Sequence, residues 1–156
     1  PVIRIMPNTP VSVGTGMILY TASDDVTAQE KDGFTAAMAG AGVLDELPEH
    51  LIDAGSSLSG CGPAFADLFI EALADGGVEC GLPREKALLY ATQMVLGSAK
   101  LLLESGEHPG VLKDRVCSPG GSTIAGVHAL EDGAFRATVM DAVVSAYDKT
   151  VELGKK

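Results

Sequence analysis

The spacing of hydrophobic and polar residues changes partway along this chain. Up to residue 47, apolar positions come in short runs set off by turn residues. Val2-Ile3-Arg4-Ile5-Met6 predicts a β-strand, stopped by the turn Pro7-Asn8-Thr9-Pro10. A second strand is predicted over Gly16 to Thr21. A helix from Thr27 to Ala39 follows the acidic pair Asp24-Asp25 and closes at Gly40-Ala41-Gly42, and Val43 to Leu47 makes a third strand. Strands alternating with a helix indicate the tail of an α/β domain. Gly14-Thr15-Gly16 looks like the opening of a dinucleotide fingerprint, but the third glycine is absent and strand follows. It does not qualify as a cofactor loop.

From Pro48 onward the period is helical. A short helix over Pro48 to Ala54 leads to Ser59-Gly60-Cys61-Gly62-Pro63, where Pro63 suits a first helical turn. Ala64 to Gly77 is apolar around most of its circumference, relieved only by Asp67, Glu71 and Asp75 at four-residue steps. One narrow acidic stripe leaves the remainder to be buried, both in its own core and against a partner subunit. Pro83 restarts a helix that runs to about Glu104 and ends at Ser105-Gly106. His108-Pro109-Gly110 opens a short helix toward Val116. Thr123 to Glu131 is helical, Asp132-Gly133 turns, and a last helix covers Ala134 to Leu153, with apolar residues recurring at three and four. The pattern therefore gives a broken α/β piece joined to five or six helices.

Composition sharpens this. The 156 residues are 46% hydrophobic but only 4% aromatic, without Trp, so the core is built from Ala, Leu, Val, Ile and Met. A formal charge of -10 argues against a nucleic-acid partner, which requires clustered Lys and Arg. No apolar run is long enough for a membrane span, and no secretory signal is read. Cys61, Cys80 and Cys117 form no C-x-x-C, which fits free thiols in a reducing, cytoplasmic setting. His50, His108 and His128 fall in separate segments without ligand spacing, so no metal is expected.

One loop carries candidate chemistry. Val116-Cys117-Ser118-Pro119-Gly120-Gly121-Ser122-Thr123 sets a glycine-rich turn and two hydroxyls directly before the Ile124-to-Glu131 helix. The first N–H groups of a helix lack internal partners and the dipole makes that end electropositive. Paired glycines let the backbone approach a small anion such as a carboxylate. The same residues also serve in an ordinary capped turn.

Several motifs in order resemble pyrroline-5-carboxylate reductase over the whole chain. They are Met6-Pro7-Asn8-Thr9-Pro10, Ser59-Gly60-Cys61-Gly62-Pro63-Ala64-Phe65, Glu71-Ala72-Leu73-Ala74-Asp75-Gly76-Gly77, Gly81-Leu82-Pro83-Arg84, His108-Pro109-Gly110 with Leu112-Lys113-Asp114, and Ser118-Pro119-Gly120-Gly121-Ser122-Thr123-Ile124. Cys61 stands where the family usually has Ser, and Ser122 where Thr or Ala is common. The resemblance implies a mainly α fold. An all-helical dimerisation domain, like the C-terminal domain of 6-phosphogluconate dehydrogenase, would occupy 48–156. The last strands and helix of a Rossmann-type NAD(P)-binding domain would occupy 1–47, its glycine fingerprint lying outside this chain.

The activity implied is reduction of 1-pyrroline-5-carboxylate, a cyclic imino acid, to L-proline with NADPH or NADH, in a homodimer or larger homo-oligomer. Ser118, Gly120, Gly121, Ser122 and Thr123 would then bind substrate, with Thr123 hydrogen-bonding the ring nitrogen as proton donor or polariser. Glu49 resembles another substrate-side position, though it equally suits a first-turn carboxylate facing the helix dipole. Asn8 lies where the family places the nicotinamide, though a turn residue before Pro has the same pattern. As it stands, the chain is expected to bind nucleotide poorly and not to turn over alone. The alternatives are a stand-alone helical dimerisation module, or another member of the wider hydroxyacid and imine reductase group.

Overall fold

The computed structural model describes residues 1–155. Among them the chain forms three strands and seven α-helices: β1 (Ile3–Pro7), β2 (Gly16–Ala22), α1 (Ala28–Met38), β3 (Gly42–Glu46), α2 (Glu49–Ser59), α3 (Gly62–Glu79), α4 (Arg84–Ser105), α5 (Pro109–Arg115), α6 (Ser122–Asp132) and α7 (Phe135–Gly154). The fold is mainly helical with one small sheet. Two compact units are present, one made of Pro1–Phe65 with the chain from Met140 on, the other of Ala66–Val139.

In the first unit the sheet order is β1-β2-β3, with β1 antiparallel and β3 parallel to β2. The central strand is the buried one: Ile18, Leu19 and Tyr20 are all inside. A short 3-10 turn, Thr9–Val13, connects β1 to β2 where the Pro7–Pro10 turn was expected. Two glycines allow β2 and β3 to start side by side. A Cβ on Gly16 would come within 2.9 Å of the Val11 backbone, and one on Gly42, whose φ is +143°, would collide with the Gly16 carbonyl oxygen and stand 2.5 Å from the Gly16 nitrogen. Gly16 thus belongs to strand packing, which accounts for half of the apparent fingerprint.

Helix α1 opens with a capping box. The Thr27 hydroxyl accepts from the Glu30 N–H, and the Glu30 carboxylate accepts from the Thr27 N–H at 2.8 Å. Phe34 on α1 meets Tyr20 edge-on at 5.2 Å. Helix α2 continues to Ser59, five residues past the expected end at Ala54. Gly55-Ser56-Ser57 reads locally as a breaker, but a Cβ on Gly55 would lie 2.6 Å from Leu19 Cδ1, so glycine lets the helix settle on β2. Ile52 and Ser57 are fully buried there, and the Ser57 hydroxyl donates to the Asp53 carbonyl at 2.7 Å.

The second unit is held by small residues. Ala74 of α3 and Ala87 and Ala91 of α4 are its buried core, with Ile70, Leu73 and Val78 half-buried around them. A Cβ on Gly77 would stand 3.2 Å from that of Ala87, so α3 and α4 approach closely at this point. Gly81, at φ +98°, makes the turn between them, and Phe69 tilts against Phe135 at 5.6 Å. Large apolar side chains elsewhere in this unit face outward: Leu68 is 67% exposed and Leu103 85%.

Candidate functional site

The glycine-rich loop sits between α5 and α6. Helix α5 ends with the Val116 and Cys117 N–H groups donating to the carbonyls of Lys113 and Asp114 at 3.2 and 3.1 Å. The chain then reverses over Ser118-Pro119-Gly120-Gly121, where the Gly121 N–H donates to the Ser118 carbonyl at 3.0 Å. Gly120 has φ +67°. Proline second and a left-handed glycine third fit a type II turn.

Gly121 is the N-cap of α6 and, lacking a side chain, supplies no cap hydrogen bond. Ser122 and Thr123 are therefore the first two helical residues and not caps. The first backbone bond at this end is Ala125 N–H to the Gly121 carbonyl, 3.3 Å. Among the described residues, the N–H groups of Ser122, Thr123 and Ile124 have no acceptor, and the hydroxyls of Ser118, Ser122 and Thr123 make no hydrogen bond. Ser122 and Thr123 are exposed. An uncapped helix start carries about half a positive elementary charge and presents its free donors to any small anion. A carboxylate offers up to four acceptor positions to such a set.

Gly121 has a second reason to be glycine. Its Cβ would collide with the Ser118 hydroxyl and stand 3.1 Å from the Ser118 carbonyl oxygen. Cys117, half-buried, is a free thiol beside the loop.

Glu49 and Asn8 belong to the first unit. Glu49 is the first residue of α2, as the dipole reading requires, but its carboxylate also accepts from the Arg4 guanidinium on β1. Arg4 reaches Asp53 one turn further on, at 3.5 Å. Arg4 and Glu49 border a cavity of about 270 Å³ with Val2, Thr21, Ala22 and Ser23. This pairing was not anticipated from the sequence, although a lone arginine in an apolar strand was its signal. The Asn8 side chain is a cross-brace. Its oxygen accepts from the Met17 N–H at 3.0 Å and its nitrogen donates to the Ser59 carbonyl at 3.0 Å. Asn8 thus holds the C-terminal end of α2 and Glu49 stands at its start, about 15 Å away along an eleven-residue helix.

A dinucleotide cofactor needs a pyrophosphate cradle at a helix N-terminus following a glycine-rich turn from a strand. No such unit occurs within these residues: Gly14 and Gly16 serve the β1–β2 connection, and the one open glycine-turn helix start follows α5. Among the described residues that cradle is not present. Among the described residues no cluster of three His, Cys, Asp or Glu is placed to hold a metal ion, and no helix is long and apolar enough to cross a membrane.

The chain itself is similar to proteins of one family. The family model for pyrroline-5-carboxylate reductase dimerisation matches residues 49–153. The pyrroline-5-carboxylate reductase of Arabidopsis thaliana is 52% identical over 155 residues, which is 98% of this chain and 55% of that protein. The Synechocystis enzyme is 50% identical over 155 residues, 99% of this chain and 58% of that protein. A crystal structure of Plasmodium falciparum pyrroline carboxylate reductase with NADP bound superposes at TM-score 0.91 with 37% identity, covering 99% of this chain and 63% of that one. The chain spans about half the length of the curated relatives it matches. It belongs to the pyrroline-5-carboxylate reductase family.

Proposed function

We propose that this chain supplies the imine-binding and subunit-pairing part of a reductase that converts 1-pyrroline-5-carboxylate to L-proline. The observation that carries the proposal is the open start of α6, with three unpartnered N–H groups and free hydroxyls on Ser118, Ser122 and Thr123. In this reading the N–H groups of Ser122, Thr123 and Ile124 hold the substrate carboxylate. The Thr123 hydroxyl hydrogen-bonds the ring nitrogen. A neutral hydroxyl is a weak acid, so Thr123 orients and polarises the C=N bond, and the proton arrives from water or on an already protonated imine. NADPH or NADH would supply the hydride; residues 1–155 offer no glycine-turn cradle after a strand for its phosphates. Holding the ring in a reactive orientation contributes up to roughly 7–11 kcal/mol in well-ordered systems.

Asn8 and Glu49 enter this reading differently. Asn8 braces the end of β1 against α2 and Glu49 pairs with Arg4 within the first unit; a nicotinamide-side role for Asn8 and a substrate-side role for Glu49 are carried by the family resemblance alone. The exposed apolar faces of α3 and α4, together with membership of a family described by its dimerisation, support a homodimer or larger homo-oligomer.

The test is Thr123→Ala in the whole gene product that carries this chain. Turnover should fall by about tenfold or more while the oligomer is unchanged. Near-normal turnover removes Thr123 from the mechanism. A whole gene product that pairs but never reduces the imine would instead make this a dimerisation module with a vestigial anion pocket.

A further inference from the structure

The loop that forms the anion cradle hangs from α5, and α5 is poorly able to hold itself. It has seven residues, and an isolated helix of that length is unstable in water. Its apolar residues Pro109 and Leu112, with Val116 beyond its end, line a cavity of about 490 Å³ shared with Phe69 and α4, so its apolar side is incompletely packed within this unit. Polar closures supplement that packing. At the N-terminus the His108 Nδ1 accepts from the Gly110 N–H at 3.1 Å, with Pro109 in the first turn. Across the whole helix, Arg115 at its end forms a two-pronged pair with Glu107 just before its start: Nη2 to Oε1 at 2.6 Å, and Nη1 to Oε2. Only Val116 and Cys117 separate the clasped end of α5 from Ser118.

We infer that His108 and the Glu107–Arg115 clasp are positioning residues for the carboxylate cradle: they fix the length and direction of α5 and hence where the Ser118–Gly121 turn sets the open end of α6. The inference rests on the cradle reading above. None of the three is among the residues that the cradle reading gives to the substrate. The planar, bidentate geometry matters because it fixes orientation as well as distance. Glu107 is 33% exposed and Arg115 59%, so the clasp is partly screened and a moderate effect is expected.

The experiment uses the whole gene product and the variants Arg115→Gln, Glu107→Gln, His108→Ala and His108→Asn, plus the reversed pair Glu107→Arg with Arg115→Glu. Each single loss of a closure should raise KM for the imine about three- to tenfold, with kcat and the cofactor KM changed less than about twofold, because carboxylate binding alone is loosened. The reversed pair should recover most of the loss. His108→Asn, which keeps an acceptor, should lie near wild type. Amide hydrogen exchange over residues 116–124 should quicken in the single variants and slow again in the reversed pair. An active wild type whose imine KM is indifferent to these changes would overturn the inference and leave the cradle reading standing, since packing against a second copy would then hold α5. An inactive wild type, or an active one insensitive to Thr123→Ala, would strike the cradle reading itself and the inference with it.

Discussion

Gly121 shows how one residue serves the turn and the site together. Its missing side chain leaves room for the Ser118 hydroxyl and carbonyl, and the same absence leaves α6 uncapped. A valine there must push Ser118 away and distort the turn that aims the free N–H groups. Gly121→Val should weaken proline binding about tenfold or more, measured by titration calorimetry or by product inhibition. Unchanged proline affinity would make the loop purely structural. The five residues of this loop were legible because Pro-Gly-Gly followed by two hydroxyls is a contiguous signal. The partners of Asn8 and Glu49 were not: Asn8 meets Ser59 and Glu49 meets Arg4, residues 51 and 45 positions away. No local pattern encodes such meetings.

At the scale of the element, end chemistry decides where helices begin. The Thr27–Glu30 box holds the Glu30 carboxyl below its usual range, chiefly through the Thr27 N–H and then the Thr27 hydroxyl. A depressed native pKa stabilises the fold fully above the unfolded value, here 4.5, and the contribution fades as pH falls through the native one. Glu30→Gln should therefore flatten the acid limb of the stability curve below about pH 4.5, followed by circular dichroism in urea. An identical acid limb in variant and wild type would contradict the linkage. The sequence Thr27-Ala28-Gln29-Glu30 carried this signal plainly. The α6–α7 junction carried a misleading one. Asp132-Gly133 reads as the turn, yet the left-handed residue is Ala134, at φ +53°. An alanine so placed costs about 1 kcal/mol relative to glycine. Ala134→Gly should raise stability by up to about that amount in denaturant titration, and a loss would show that Ala134 has compensating contacts.

For the whole molecule, the balance of buried and exposed apolar surface is the deciding quantity. The unit Ala66–Val139 buries three alanines while Leu68, Leu96 and Leu103 stay more than half exposed. Exposed leucines on a unit matched by a dimerisation family model suit cover by a second copy. The expected outcome is association: sedimentation equilibrium should give at least twice the chain mass, and Tm should climb with protein concentration as mass action requires. A monomer with a concentration-independent Tm would end the subunit-pairing proposal. Breadth of apolarity around the 64–77 segment already pointed this way, because a helix lacking a wide polar face needs cover on more than one side.

By itself, then, the sequence determined the order and type of the elements and the glycine turn before α6. Each of these depends on periodicity or turn chemistry acting over a few residues. Tertiary structure alone decided that β1 runs antiparallel and β3 parallel to β2, that α2 continues through Gly55, that Arg4 claims Glu49 and that Asn8 braces α2. These depend on which distant segments return to one another, and on glycine being read as a fit against a neighbouring side chain where, in isolation, it reads as a break.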